Sequence, residues 1–317
     1  MSTKRVLIAG GAGFLGSHLC RRYLDDGWLV TCVDNYVTGR RSNIESLKEY
    51  AGFNFVEADI VAGLISTEPL DLILHMASLA SPPFYKKFPI ETLMVGALGT
   101  QHMLELAVEN NARLVFASTS EVYGDPQENP QKESYWGHVN PIGPRSMYDE
   151  SKRFGEAMVR AYVTTRGANV GIARIFNTYG PDMRFDDGRV ITNFLGQIIR
   201  GQALTVHGDG SQTRSFCYVS DLVEGIVRLA ASEHGGPINL GNPFNEMTIM
   251  ELAQRLSVMF GQTFNPGPAM PKQDVDDPMV RCPDISLAQE VLGWEPQVSF
   301  EDGIQKTRAY LEAALSD

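Results

Sequence analysis

The run Gly10-Gly11-Ala12-Gly13-Phe14-Leu15-Gly16 follows a short apolar segment, Arg5–Ala9, and opens an amphipathic one, Ser17–Asp26. A strand that feeds a helix through a GxxGxxG turn leaves a chain few choices of fold. Small residues allow the tight turn and let a pyrophosphate approach the backbone amides at the helix N-terminus. A second apolar run, Leu29–Val33, is followed by Asp34, 18 residues past Gly16. An acid there accepts hydrogen bonds from the adenosine ribose and repels a 2′-phosphate, so the pattern predicts NAD rather than NADP. Arg40 and Arg41 oppose that preference only if they fold back to the ribose. Asp59, just past the run Phe53–Glu57, is a candidate for the adenine amino group.

Strand and helix patterns alternate through the first half. Strands are expected at Arg5–Ala9, Leu29–Val33, Phe53–Glu57, Asp71–His75, Arg113–Ala117 and Asn169–Phe176. Helices are expected at Ser17–Asp26, Thr92–Asn110 and Tyr148–Thr165. This βαβ rhythm predicts an α/β fold, a Rossmann-type doubly wound parallel sheet with helices on both faces. The rhythm changes after Phe176. Asn177–Arg189, His207–Arg214 and Gly261–Pro283 read as turns and loops. Helices are expected at Val190–Gly201, Ser220–Ser232, Thr248–Phe260, Ile285–Leu292 and Phe300–Ala314. The expectation is an NAD-binding domain over 1–176, taking back parts of 215–242, and a smaller, mostly helical substrate lobe over 177–317.

Composition narrows the function. With 27 Lys and Arg against 38 Asp and Glu, the net charge is −11, which excludes a generic surface for nucleic acid or anionic membrane. No apolar run reaches the ~18–20 residues of a membrane span. Lys4 and Arg5 ahead of Val6–Leu15 give a superficial likeness to a secretory leader. The glycines break that apolar stretch at regular spacing, so a cytoplasmic protein is expected. Cys20, Cys32, Cys217 and Cys282 have neither metal nor redox spacing and read as reduced thiols. No metal is expected, and His75 reads as a packed or backbone-bonded residue.

Tyr148-Asp149-Glu150-Ser151-Lys152 places a phenol and an ammonium on one face of a helix. A phenol with a pKa of ~10 is a poor base at neutral pH, and a neighbouring ammonium lowers that value. Tyr148 can then take a hydroxyl proton while hydride leaves the same carbon. The strand before it ends in Ser118-Thr119-Ser120-Glu121, and ligands of parallel sheets bind beyond such strand ends.

On these residues the chain resembles the extended short-chain dehydrogenases/reductases acting on nucleotide sugars, most of all the UDP-glucuronate decarboxylases (UDP-xylose synthases). The resemblance covers essentially the whole length. It is carried by Ser118–Pro126, Arg174–Pro181, Asp187–Val190, Gly210–Arg214, Asn239–Pro243, Asp276–Pro278 and, most specifically, Tyr135-Trp-Gly-His-Val-Asn-Pro-Ile-Gly-Pro-Arg145. It implies bound NAD on Gly10, Gly13, Phe14, Leu15, Gly16, Asp34, Asn35, Thr38, Gly39, Asp59, Ile60, Ala77, Tyr148 and Lys152. It implies catalysis by Thr119, Ser120, Glu121, Tyr148 and Lys152. Substrate contacts are implied for Pro82, Tyr85, Thr119, Asn177, Arg189, Val190, Arg214, Tyr218 and Arg281, and a homodimer through the helices at 92–110 and 148–165.

The implied reaction oxidises carbon 4 of a nucleotide-linked glucuronyl ring, loses carbon dioxide, and re-reduces the product. The related 4,6-dehydratases have Asp-Glu where this chain has Ser120-Glu121. Serine cannot protonate a leaving hydroxyl, so dehydration is disfavoured, while Glu121 is kept as a base or proton relay. A 4-epimerase, which shares the oxidation step, stays open, as does a binding protein without turnover. The chain departs from the family at Gly96, where Asn is usual, at Leu79-Ala80, where Cys-Pro is usual, and at Ser151, where Gly is usual. These departures leave the redox residues intact and bear on the exact sugar and nucleotide. Whether the cations Arg189, Arg214 and Arg281 converge on one cleft is the question the acidic composition poses.

Overall fold

The computed structural model describes residues 3–63, 68–264 and 276–316. In chain order, β1 (Arg5–Ala9), α1 (Phe14–Asp25), β2 (Leu29–Asp34), β3 (Phe53–Glu57) and β4 (Leu72–His75) form the first half of a sheet. Then come α2 (Pro82–Lys87), α3 (Pro89–Met94), a π-helical turn (Val95–Gly99), α4 (Thr100–Asn110), β5 (Arg113–Thr119), α5 (Ser146–Arg166) and β6 (Val170–Ile175). The remainder comprises β7 (Thr178–Tyr179), α6 (Val190–Ile199), β8 (Thr213–Ser215), β9 (Cys217–Tyr218) and α7 (Val219–Ala231). It continues through β10 (Pro237–Leu240), β11 (Glu246–Thr248), α8 (Ile249–Met259), α9 (Ser286–Leu292) and α10 (Phe300–Ser316).

Seven parallel strands run in the order β3-β2-β1-β4-β5-β6-β10. The strand order reverses between β1 and β4, and Val6 of β1 pairs with Val30 on one side and Leu72 on the other. Ligands of doubly wound sheets bind beyond the strand ends at that reversal. The strands are apolar because both faces are covered, and every residue of β5 is buried. One apolar cluster packs Leu19, Leu222 and Ile226 beneath the sheet; the other packs Leu104, Phe116 and Val159 above it. The edge strand β10 comes from the second half of the chain, and α7 packs on the sheet beside it.

Three differences from the sequence pattern have physical causes. The helix expected over Thr92–Asn110 is two helices around a π-helical turn, where Gly96 and Gly99 let the backbone press against Ser151 and Ile60. The Pro-rich stretch before it forms α2 and α3, each with proline in its first turn, where the missing N–H costs nothing. The loop expected over Asn177–Arg189 contains β7, which pairs with β9. Part of Gly261–Pro283 lies outside the described residues.

A polar node ties β5, β6 and α5 together. Ser118 Oγ donates to Glu156 at 2.6 Å, and Arg174 donates to both Glu156 oxygens at 2.9 and 2.7 Å. Arg174 also donates to the Tyr123 hydroxyl and to the Glu133 carbonyl, each at 2.9 Å. Glu156→Ala leaves the Arg174 guanidinium uncompensated in a largely buried place. Urea unfolding is expected to show a loss of about 3 kcal/mol, the range for breaking a buried pair from one side. A loss below about 0.5 kcal/mol, as for exposed pairs, contradicts the buried reading.

Candidate active site

One long cleft crosses the C-terminal ends of β1, β2, β4 and β5 and continues under α6. Gly10, Gly13, Phe14, Leu15, Gly16, Asp34, Asn35, Thr38, Asp59, Ile60 and Ala77 line one end. Gly10 has φ +80°, and a Cβ on it would lie 2.7 Å from the backbone of Ala77. A Cβ on Gly16 would stand 2.0 Å from the Gly10 carbonyl oxygen, so the turn closes only with glycine there. Gly13 caps α1 with no side chain to bond the first amides, and no acid stands in the first turn. Those amides suit a diphosphate.

Asp34 sits at the end of β2. Its carboxylate accepts from the amides of Ala12 at 3.0 Å and Tyr36 at 2.8 Å. Burial pushes its pKa up, and those amides pull it back. Gly39 does not line the cleft; it lets the chain pass Asp34, whose Oδ1 lies 2.7 Å from where a Cβ would be. Arg40 does not turn to the ribose, because it donates to Asn43, to the Asp182 carbonyl and to Tyr310. Arg41 pairs with Glu57 and lies over the Tyr36 ring. Asp59 accepts from the Val61 amide at 2.9 Å and from Asn35 Nδ2 at 3.3 Å, so it has local work whichever base it meets. The residues present therefore fit NAD: an open helix N-terminus, a ribose acid and, among the described residues, no cation placed for a 2′-phosphate.

Thr119, Ser120, Glu121, Tyr148 and Lys152 meet at the middle of the cleft. Tyr148 is 6% exposed, and its ring stacks on Tyr85 with centroids 5.3 Å apart. Lys152 Nζ donates to the Ala117 carbonyl at 2.8 Å and stands 5.3 Å from the Phe116 ring centroid. The expected lowering of the Tyr148 pKa by Lys152 is not seen. Burial pushes Tyr148 up to about 12, with only a hydrogen bond from Thr119 and the Arg189 charge pulling down. Burial also pushes Lys152 down to about 7, so the ammonium is itself poorly solvated. His75 is the packed residue expected, buried below against Phe116 with Nε2 3.1 Å from Thr100 Oγ1. Burial first and the Lys152 charge second push His75 down to about 3, so it is neutral.

Glu121 is the electrostatic centre of the other end. Arg145 reaches its carboxylate at 2.8 Å and Arg281 at 3.1 Å. Burial alone would raise its pKa, but the charges of Arg281, Arg145 and Arg214 outweigh it and hold Glu121 down at about 2. The three arginines favour the anion, which weighs against Glu121 as a base or proton relay. Arg145 and Arg214 each also pair with Asp277, at 3.0 and 3.1 Å.

Pro82, Tyr85, Asn177, Arg189, Val190 and Arg214 line this end. Arg281 and Tyr218 do not. Arg281 is fully buried behind Glu121 and donates to the Ser120 carbonyl at 2.6 Å. Tyr218 packs edge-on against Tyr179 in the core. Two of the three arginines thus converge on the cleft, with the third supporting its wall. Residue-type reasoning missed Arg145 and Asp277, which line the cleft. The signal was present at the end of Tyr135–Arg145 and in Asp276–Pro278, but neither run says which side chain turns inward.

Residues 6–241 match the model of the NAD dependent epimerase/dehydratase family. UDP-glucuronic acid decarboxylase 1 of Danio rerio is 50% identical over 312 residues, 98% of this chain and 73% of that protein. The solved dTDP-glucose 4,6-dehydratase of Streptomyces venezuelae, with NAD and TYD bound, superposes with a TM-score of 0.90 at 29% identity, covering 98% of each chain. The UDP-glucuronic acid 4-epimerase of Bacillus cereus was solved in complex with UDP-glucuronic acid and NAD. It superposes with a TM-score of 0.85 at 26% identity, over 98% of this chain and 99% of that one.

Two outcomes follow from the geometry. Gly16→Ala is expected to weaken NAD at least ~100-fold by titration calorimetry, because the methyl group fills the turn that approaches the diphosphate. Retained affinity would place the dinucleotide elsewhere. Glu121 is ionised more easily folded, at about 2, than unfolded, near 4.5. Its stabilisation is therefore complete above about pH 5 and fades as pH falls toward 2. The gap in unfolding free energy between the parent and Glu121→Gln should be flat above pH 5 and shrink below it. A gap that widens on acidification contradicts the assignment.

Proposed function

The chain belongs to the NAD-dependent epimerase/dehydratase family, and from that membership we propose that it decarboxylates UDP-glucuronate to UDP-xylose. The observation that carries this reading is the pair Ser120-Glu121. A dehydratase must hand a proton to a leaving hydroxyl. Ser120 has none to give at neutral pH, and Glu121, held at about 2, has already lost its own. A ring ketone flanked by a carboxylate needs no such acid, because carbon dioxide departs and leaves its electron pair in an enolate. The 50% identity to a UDP-glucuronic acid decarboxylase supports the same reading.

The glycine turn, Asp34, Asp59 and Lys152 would hold NAD. When bound, NAD would supply the hydride acceptor for carbon 4, the hydride's return at the end, and a positive charge within the site. The chain's residues do the rest. Tyr148 takes the proton of the carbon 4 hydroxyl. A buried phenol with a pKa near 12 needs added positive charge for that, so it becomes a base only in the loaded site. Thr119 and Tyr148 donate hydrogen bonds to the oxygen that gains charge as carbon dioxide leaves. Arg189 and Arg214 bind the anionic groups, and Arg145, with Arg281 behind it, fixes the anion Glu121 beside the sugar. Carbon 5 then takes a proton, and Tyr148 returns its own to carbon 4's oxygen.

The same reading extends to assembly and location. Ile90 is 69% exposed, with Leu93, Met94 and Leu98 near it on α3 and the π-helical turn and Phe154 on α5. Apolar side chains on these two packed helices suit a second copy of the chain. Among the described residues no helix is long and apolar enough to cross a membrane, and the four buried, unpaired cysteines suit the cytoplasm. Residues 1–176 with parts of 215–242 form the NAD-binding domain in this view, and the rest of 177–317 the substrate lobe.

Incubation with NAD and UDP-glucuronate should release carbon dioxide and a UDP-pentose by mass spectrometry. Tyr148→Phe should cut kcat by ~100-fold or more without unfolding the protein. A carbon-4 epimer with its carboxylate retained would establish the epimerase instead, as the Bacillus cereus neighbour allows. NAD binding with no product would sink both readings.

A further inference from the structure

Tyr148 and Lys152 stand one turn apart on α5, and Ser151, also one turn on from Tyr148, flanks the same face and is 3% exposed. Its hydroxyl donates to the Tyr148 carbonyl at 2.7 Å and so satisfies itself within the helix. What Ser151 meets is Gly96, in the π-helical turn Val95–Gly99. A Cβ on Gly96 would lie 2.6 Å from Ser151 Cβ and 2.9 Å from the Ser151 carbonyl oxygen. Any side chain at 96 therefore drives the turn and α5 apart. The neighbouring Val95 lines the cleft, so the turn touches the reaction space on one side and the catalytic helix on the other. A second glycine works from the sheet side. A Cβ on Gly155 would stand 2.4 Å from the Phe116 ring, the ring over which Lys152 extends. The catalytic turn is thus seated between two contacts that leave no room for a methyl group. Wide helical turns of this kind recur at functional sites.

We propose that Gly96 and Ser151 form a joint that sets how far Tyr148 and Lys152 project into the cleft, and that both are positioning residues for the proton transfer at carbon 4. The inference rests on the decarboxylase reading for its kinetics but not for its geometry. Displacing a reacting group by about 1 Å costs up to ~100-fold in rate, while groups that bind the nucleotide elsewhere in the cleft are untouched.

The test is a double-mutant cycle on the holoenzyme, with kcat and KM for UDP-glucuronate, NAD affinity and thermal midpoint measured for each protein. Gly96→Ala should lower kcat by about tenfold to 100-fold, with KM and NAD affinity within about twofold. Adding Ser151→Gly should recover kcat by about threefold or more, because the closest contact is relieved while the carbonyl contact remains, and the midpoints should be non-additive. Ser151→Thr enlarges the same contact from the α5 side, keeps the hydroxyl, and should show the same kcat-selective loss if Gly96→Ala does not fold. Additive effects in the cycle, or an unchanged kcat in Gly96→Ala or in Ser151→Thr, overturn the joint. If the parent enzyme fails to turn over UDP-glucuronate, the decarboxylase reading falls, and the additivity of the thermal midpoints alone decides the joint.

Discussion

A largely buried carboxylate just past the end of an inner strand cannot stand alone. Glu121 leaves β5 inside the protein, where desolvation would hold it neutral, and it stays charged only because three arginines surround it. Those arginines come from far apart in the chain. Arg145 ends the segment leading into α5, and Arg281 lies in the segment before α9. The carbonyl of Arg281 accepts from the Ser215 amide in β8 at 3.1 Å. The second half of the chain is therefore drawn onto the sheet by the ion cluster that also forms the sugar end of the cleft. Arg214 adds charge on the cleft side and shares Asp277 with Arg145. A cleft end lined by several cations thus exists within a chain of net charge −11, because those cations are gathered in one place.

The redox end follows a different rule. Tyr148 and Lys152 are driven away from their charged forms by burial, which outweighs the Thr119 hydrogen bond and the Arg189 charge at Tyr148. Pairing the two on one helix face does not by itself make a base. Burial holds the phenol and the amine near their neutral forms, so Tyr148 needs added positive charge before it can act as a base. Packing supplies that burial. Phe116 lies under Lys152, Tyr85 lies on Tyr148, and Gly96 and Gly155 let the neighbouring segments close on α5.

Much of the frame was legible in the residues because it rests on local chemistry. The Gly10–Gly16 turn needs small residues whatever surrounds it. Asp34 terminates a strand that its apolar run alone identifies, and Tyr148 and Lys152 share a face by helical period. What could not be read depends on contacts across the fold. The Thr92–Asn110 pattern looks like one helix because isolated glycines are tolerated within a helical pattern, and the close contact of Gly96 with Ser151 shows only in the fold. Arg281 and Arg145 are equivalent as charges in a sequence, yet one is sealed behind Glu121 while the other lines the cleft. The sign of the Tyr148 shift was missed for the same reason: its ammonium neighbour is evident in the sequence, and the depth of its burial is not.

The central claim is that one site oxidises carbon 4, loses the carboxylate, and restores the same hydrogen. UDP-glucuronate carrying deuterium at carbon 4 tests it in one measurement, with the product examined by NMR and mass spectrometry. The account predicts a UDP-pentose that keeps the deuterium at carbon 4 and carries a solvent-derived hydrogen at carbon 5. A six-carbon product that keeps its carboxylate, or a pentose whose carbon 4 label has been lost to solvent, would contradict it.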